Sequence, residues 1–114
     1  MLLSEYVKAN WVQIKLRFGS IVQKDKRYDW RGNLVAFPRL WEKGNQCRLY
    51  VPLSMMHTAG YIDLHRQTVH PEVKMNIRGA KLVKDVEMRE EAEHLLRTVL
   101  SELQSEAVAE SLPG

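Results

Sequence analysis

Residues 34–53, LVAFPRLWEKGNQCRLYVPL, decide the fold, because their pattern predicts a β-hairpin. Residues 34–40 are almost continuously apolar, which is typical of a strand covered on both faces. Residues 42–46, EKGNQ, have the composition of a turn. Along residues 47–53, apolar residues alternate with polar residues or proline, so the returning strand has one buried face and one exposed face. Pro38 cannot donate a ladder hydrogen bond, which places that point at a sheet edge or a bulge.

Further strands are predicted on both sides of the hairpin. The even positions from 12 to 18 are apolar and the positions between them are polar, so this period of two predicts a strand over residues 12–18. A second short strand begins at residues 21–22, and the polar residues 24–33, KDKRYDWRGN, form a loop. Strands are also expected at 61–66, with Ile62 and Leu64 inward, and at 73–78, with His70-Pro71 breaking the chain between them.

An amphipathic helix is predicted over residues 85–104. Apolar side chains recur there at three- and four-residue spacing and form one stripe, which consists of Met88, Ala92, Leu95, Leu96, Val99 and Leu103. Asp85 is the expected N-cap, and the acidic residues that follow it suit the positive end of the helix dipole. The composition after residue 106 predicts a flexible tail over residues 107–114.

These elements predict an α+β fold, in which a small antiparallel β-sheet carries a C-terminal amphipathic helix packed on one face. With 114 residues, 45% of them hydrophobic, we expect one domain over residues 1–106 with a β-rich body up to residue 84. The single cysteine excludes an internal disulfide and favours a reducing compartment. The first residues, MLLSE, have no basic run ahead of a long apolar stretch, so we expect neither a signal peptide nor a membrane anchor. No apolar run approaches the roughly 20 residues that span a bilayer. We therefore expect a soluble, cytoplasmic protein without a membrane partner.

Charge is unevenly distributed along the chain. Residues 1–84 contain 15 Lys and Arg against 6 Asp and Glu, a net charge of +9, whereas residues 85–114 contain 2 against 8, a net charge of −6. A basic body favours an anionic partner such as nucleic acid. The alternative interpretation is that the two oppositely charged parts attract each other and keep the fold soluble.

Catalytic signatures are missing from the sequence. It has no G-x-S-x-G elbow, no glycine-rich phosphate loop and no H-E-x-x-H pair, so we expect a protein that is not an enzyme and has no cofactor. Cys47, His57, His65 and His70 are ligand types that zinc prefers. Their spacing, Cys-x9-His-x7-His-x4-His, matches no compact zinc pattern, so no metal site is predicted.

The strongest functional pattern is a basic and aromatic segment at residues 24–31. Cations at these positions can contact phosphates while the interleaved rings stack on bases. Three cations of the hairpin extend the same positive surface if the strands pair as proposed. The predicted nucleic-acid-binding residues are Lys24, Lys26, Arg27, Tyr28, Trp30, Arg31, Arg39, Lys43 and Arg48. In the alternative, the rings of this segment close the small core and its two aspartates neutralise part of the charge.

The hairpin resembles the septation protein SpoVG family. The resemblance spans residues 32–54, about a fifth of the chain, and lies in residues 32–38, GNLVAFP, in Gly44 of the turn, and in residues 49–54, LYVPLS. Family members have a similar strand ending in V-A-x-P, a glycine-containing turn and a returning strand that ends in proline. The resemblance implies a small β-sheet with a C-terminal helix and regulatory DNA binding. Because members pass directly into an Arg-containing helix where this chain has residues 57–60, HTAG, their basic residues have no matching positions here.

Two functions follow from the sequence. The first is a non-enzymatic, nucleic-acid-binding regulatory module that uses the basic and aromatic loop and the hairpin. The alternative is a small inhibitor or adaptor, encoded by a phage or a mobile element, that docks on a larger bacterial protein through complementary charge. An exposed sheet edge would also allow a homodimer.

Overall fold

The structure is a computed structural model that describes residues 1–22, 38–53, 57–75 and 86–111. Its elements, in chain order, are α1 (Leu3–Ala9), α2 (Trp11–Val22), β1 (Arg39–Lys43), β2 (Gln46–Pro52), β3 (His57–Asp63), β4 (Thr68–Met75) and α3 (Val86–Ser111). The strands form an antiparallel sheet of four strands in the order β1-β2-β3-β4, and α3 packs against β3 and β4. The predicted α+β class, a small antiparallel sheet with the C-terminal helix on one face, is confirmed.

The predicted hairpin is present as β1 and β2. Lys43 pairs with Gln46 across a two-residue turn, and Gly44 has a φ of +57°. Glycine adopts this left-handed conformation without steric penalty, which explains its place at the first turn position. Within the described sheet, β1 pairs only with β2 and its residues are largely exposed, so it is not the doubly covered strand that was expected. Residues 34–37 of that expected strand lie outside the described residues.

β3 and β4 begin earlier than the strands predicted at residues 61–66 and 73–78. β3 starts at His57 and ends at Asp63, so the predicted strand over residues 61–66 is correct only in its first half. Residues 64–67 form the turn to β4, yet Ile62 and Leu64 are both buried as expected. The predicted break at His70-Pro71 is wrong, because both residues lie inside β4. Pro71 is tolerated because β4 has β3 as its partner on one side and the ladder shifts register there, between Thr58 and Gly60.

Gly60 marks a close approach between β3 and β4. Its φ is +137°, and a Cβ at this position would lie 2.2 Å from the carbonyl oxygen of His70 and 2.6 Å from the backbone nitrogen of Glu72. No side chain fits in that space, so only glycine allows the two backbones to pair here.

The core lies between the sheet and the helices. On β2 the inward residues Cys47, Leu49 and Val51 are fully buried, as the alternation predicts. They belong to one cluster with buried residues of all three helices, which include Leu3, Val7, Ile14, Phe18, Ala92, Leu96, Val99 and Leu103. The helices therefore cover one face of the sheet.

The strand predicted over residues 12–18 is wrong, because this segment lies in α2. Ile14 and Phe18 are buried four residues apart, on one side of the helix, while Val12 is 71% exposed. The start of a strand at residues 21–22 is also wrong, since α2 continues to Val22. The body of the protein is therefore helical, not β-rich, over its first 22 residues.

The C-terminal helix is confirmed, with a different end. α3 begins at Val86 and continues to Ser111, seven residues beyond the predicted end at residue 104. Residues 107–111 of the expected tail are therefore helical, because Ala107 extends the buried stripe by one more turn. The expected N-cap, Asp85, lies outside the described residues.

Polar contacts connect the helices to one another and to the sheet. Arg17 of α2 donates two hydrogen bonds to Glu106 of α3, and Tyr6 of α1 donates a third at 3.3 Å. The hydrogen bonds from Arg17 are the main cause that holds the pKa of Glu106 below its usual value. At the other side of α1, Lys8 contacts Glu42 of β1 at 2.5 Å.

None of the helices in the described part of the chain is long and apolar enough to cross a membrane.

Candidate nucleic-acid interface

The face of the sheet opposite the helices, here called the outer face, concentrates aromatic and basic side chains. Its members follow from the strand register, since residues paired across antiparallel strands point to the same side. They are Arg39, Trp41 and Lys43 of β1, Gln46, Arg48 and Tyr50 of β2, Tyr61 and Asp63 of β3, and Thr68 and His70 of β4. All of these residues are exposed or half-buried, whereas their inward neighbours on β2 are fully buried.

Four of these side chains form a row across the whole sheet, here called the cross-strand stack. The guanidinium carbon of Arg48 lies 5.0 Å from the centre of the Trp41 ring and 4.4 Å from the centre of the Tyr61 ring. On the far side, the rings of Tyr61 and His70 are stacked, with centres 4.6 Å apart and planes 14° apart. Each of the four strands contributes one member, so the stack exists only if every strand keeps its register.

Arg48 is fixed at the centre of this arrangement. It donates hydrogen bonds to the Tyr50 hydroxyl at 3.2 Å and to the Gln46 side-chain oxygen at 3.3 Å. The hydrogen bond to Tyr50 is the main cause that raises the pKa of the guanidinium, so Arg48 stays charged. The Tyr50 ring in turn lies 5.4 Å from the Tyr61 ring in a tilted arrangement. The cation is therefore held in position before any ligand binds.

The rest of the positive charge of the outer face surrounds the stack. The guanidinium of Arg39 lies 5.6 Å from the centre of the Tyr50 ring, and Lys43 is exposed at the turn end of β1. Opposing charge comes from Asp63 and from Glu72, which lies close enough to Arg48 to favour its charged form. Asp63 is engaged locally, since one carboxylate oxygen accepts the backbone N–H groups of His65 and Arg66 at 3.0 and 2.9 Å.

The structure brings together three of the residues predicted to bind nucleic acid. Arg39, Lys43 and Arg48 all lie on the outer face, because Arg48 pairs with position 41, midway between the other two. The remaining six predicted residues, Lys24, Lys26, Arg27, Tyr28, Trp30 and Arg31, lie outside the described residues.

Sequence reasoning missed the aromatic members of the face, namely Trp41, Tyr50, Tyr61 and His70. The alternation of Arg48 and Tyr50 with buried residues already placed these two on one side of β2. The rings of β3 and β4 can be placed beside those of β1 and β2 only when the strand register is known. In that register Tyr50 pairs with Tyr61, and Tyr61 pairs with His70. A single sequence does not fix that register.

The four residues with side chains that zinc prefers, Cys47, His57, His65 and His70, do not form one cluster. Cys47 is buried on the inner face, where burial raises the pKa of its thiol, while His70 lies on the outer face and His65 in the turn before β4. Within residues 1–22, 38–53, 57–75 and 86–111, no cluster of three or more potential ligands could hold a metal ion.

Comparisons with known proteins add no relative to this description, so the resemblance to the septation protein SpoVG family stays a prediction. No protein-family model matches the chain, and no significant match is found among curated proteins or solved structures.

Proposed function

We propose that the protein binds single-stranded nucleic acid on the outer face of its sheet, without catalysis. The observation that supports this most directly is the cross-strand stack, in which a charged guanidinium is held between Trp41 and Tyr61. Open sheets that present rings and cations together suit single strands, because bases stack on the rings and phosphates bind the cations. Bases of a duplex are already stacked on each other, which leaves their faces inaccessible to such rings.

Trp41 is the member of the stack best placed to receive a base. It lies on β1, which is at one edge of the described sheet, and it is 37% exposed. One face of its ring is directed to Arg48, which leaves the other as the end of the stack. A base placed there continues the row, and its flanking phosphates come within reach of Arg39 and Lys43, two positions away on either side.

The test measures binding of a labelled 12-nucleotide thymidine oligomer to the Trp41→Ala variant at low salt. Loss of one base-stacking partner is expected to weaken affinity by roughly 5- to 150-fold, since stacking contributes about 1–3 kcal/mol per base. Val12→Ala is the matched control, because Val12 is an exposed apolar residue on α2. Its affinity should equal that of the unmodified protein.

Salt dependence provides a second readout of the same interface. If phosphates contact Arg39 and Lys43, changing both residues to Gln should reduce the slope of log affinity against log salt by about 1.4, or about 0.7 per charge for a single strand. A folded protein that retains no oligonucleotide at low salt would contradict the proposal. Trp41→Ala binding at full strength would contradict it as well.

Docking on a larger protein remains the alternative function. The two functions differ in a capture experiment from a cell lysate with tagged protein. Nucleic-acid-mediated capture is lost when the lysate is treated with nuclease, whereas direct docking on a protein survives this treatment.

A further inference from the structure

A polar depression of about 280 Å³ lies at one end of the outer face. The β1-β2 turn and the β3-β4 turn meet at this end, because consecutive strands of an antiparallel meander reverse direction. Arg48, Tyr61 and His70 line it from the outer face, while Asn45, His65 and Arg66 line it from the two turns. This depression, here called the turn-end pocket, therefore shares three residues with the cross-strand stack.

We propose that the turn-end pocket binds a phosphate group of the nucleic acid, an inference that rests on the proposed function. Two arginines line it, Arg48 on β2 and Arg66 in the β3-β4 turn. Arginine is the side chain best suited to phosphate, because its planar fork donates two parallel hydrogen bonds to phosphate oxygens. Asn45 and His65 also line the pocket, and both residues have side-chain N–H groups that can donate hydrogen bonds.

The turn that carries Arg66 is held in a defined conformation. Asp63 accepts the backbone N–H groups of His65 and Arg66 through its carboxylate, and its carbonyl oxygen accepts the N–H of Gln67 at 2.7 Å. Gln67 completes the turn with a φ of +57°. A binding group on a fixed turn loses less conformational freedom when the ligand arrives than one on a loose loop.

The negative groups of the pocket do not cancel its attraction for an anion. Asp63 lines the pocket but directs one oxygen to the backbone of the turn, and Glu72 contributes a second negative charge near Arg48. Both guanidinium groups keep N–H groups that can still donate to an anion, because each guanidinium has five N–H groups. Arg48 uses two of its nitrogens on Tyr50 and Gln46, and within the described ranges no hydrogen-bond partner is seen for the guanidinium of Arg66.

The position of the pocket relates it to the bases on the stack. Because Arg48, Tyr61 and His70 belong to both features, a phosphate in the pocket is adjacent to the row of rings that ends at Trp41. The phosphate can be an internal phosphodiester of the strand or the phosphomonoester at its 5′ end. Both present the same oxygens, and the experiment separates them.

The experiment compares six-nucleotide thymidine oligomers with a 5′-hydroxyl and with a 5′-phosphate, bound to the unmodified protein and to Arg66→Gln. Arg89→Gln is the matched control, since it removes one exposed positive charge from α3. We expect Arg66→Gln to weaken binding about tenfold more than Arg89→Gln, because it removes a charge-assisted contact to phosphate. If Arg66→Gln weakens the binding of both oligomers equally, the pocket binds an internal phosphodiester. If the unmodified protein binds the 5′-phosphate oligomer more tightly and Arg66→Gln removes this difference, the pocket binds the 5′ end of the strand.

The pocket inference fails alone if Arg66→Gln and Arg89→Gln bind both oligomers with equal affinity while Trp41→Ala still weakens binding. If no oligomer binds, the proposed function fails and the pocket is tested separately by titrating inorganic phosphate into isotope-labelled protein. Shifts of the backbone amide signals of residues 65 and 66, lost in Arg66→Gln, would support an anion site. Unchanged signals would overturn it.

Discussion

The two faces of the sheet use the same strands for different purposes. On β2, Cys47, Leu49 and Val51 are removed from water by the helices, while Arg48 and Tyr50 between them remain accessible on the outer face. The inner face is stabilised by burial of apolar area, which requires shape but not direction. The outer face depends on ring and cation geometry, in which distance and orientation both matter.

The comparison shows how stability and function are separated within one strand. Burying an aliphatic side chain contributes about 1.5–3 kcal/mol, whereas an exposed cation–π contact contributes about 0.5–1 kcal/mol. Substitutions on the inner face should therefore change the free energy of unfolding, and substitutions on the outer face should change binding.

The largest expected effect comes from Gly60→Ala, which places a methyl group between the closely spaced backbones of β3 and β4. The added Cβ would meet backbone atoms of β4 at 2.2 and 2.6 Å, and no side-chain rotation relieves a backbone clash. We expect the free energy of unfolding in urea to fall by more than about 4 kcal/mol. Gly44→Ala is the matched control, because Gly44 also has a positive φ but has nothing within 4 Å of the added Cβ. It should cost about 1–2 kcal/mol, and equal losses would contradict the close approach at Gly60.

The next effect in size compares neighbouring residues on the two faces. Leu49→Ala removes a fully buried side chain and should lower the free energy of unfolding by about 2–5 kcal/mol. Arg48→Ala removes two exposed ring contacts and should lower the free energy of unfolding far less than Leu49→Ala, yet it should abolish most oligonucleotide binding. Urea unfolding and oligonucleotide titration of both variants measure the two quantities. Parallel losses of stability and binding in both variants would refute the separation of the faces.

The smallest effect concerns the helix layer that covers the inner face. Glu106→Gln should lower the free energy of unfolding by at most about 1 kcal/mol at pH 7, because Arg17 and Glu106 are both partly exposed to solvent. Since the pKa of Glu106 is lowered from about 4.5 in the folded protein, this contribution is complete above pH 4.5 and is lost as the pH falls through the lowered value. The difference between the unmodified protein and the variant should therefore shrink below pH 4.5 in urea unfolding.

Glu93→Gln is the control for the acid dependence, since Glu93 pairs with Arg97 at an exposed position of α3. It should cost about 0.3–0.5 kcal/mol at pH 7, as exposed helix pairs of this spacing do. A difference for Glu106→Gln that does not change between pH 7 and pH 3 would exclude its hydrogen bonds from Arg17 as the cause.

The sequence predicts the elements whose pattern has only one structural interpretation. The hairpin around Gly44 and the stripe of α3 satisfy strand and helix periodicity over many residues, and both are found. Residues 12–18 satisfy both periods at once, since Ile14 and Phe18 are four residues apart, which is two periods of a strand or about one turn of a helix. Packing resolved this ambiguity, because as a helix the segment covers the sheet together with Leu3 and Val7 of α1.

The candidate site is predictable in part for a similar reason. Arg39, Lys43 and Arg48 share a face as soon as the hairpin register is known, and local turn residues supply that register. Tyr61, His70 and Arg66 enter the site through strands that are paired across a shift between Thr58 and Gly60. A bulge of this kind changes which side chains face outward, and its position depends on tertiary contacts.

The contact between Tyr6 and Glu106 has a consequence for the order of folding. These residues are 100 positions apart, whereas each strand of the sheet pairs with its nearest neighbour along the chain. Because closing a long loop costs more entropy than closing a short one, we expect the meander to assemble first and the helices to dock afterwards.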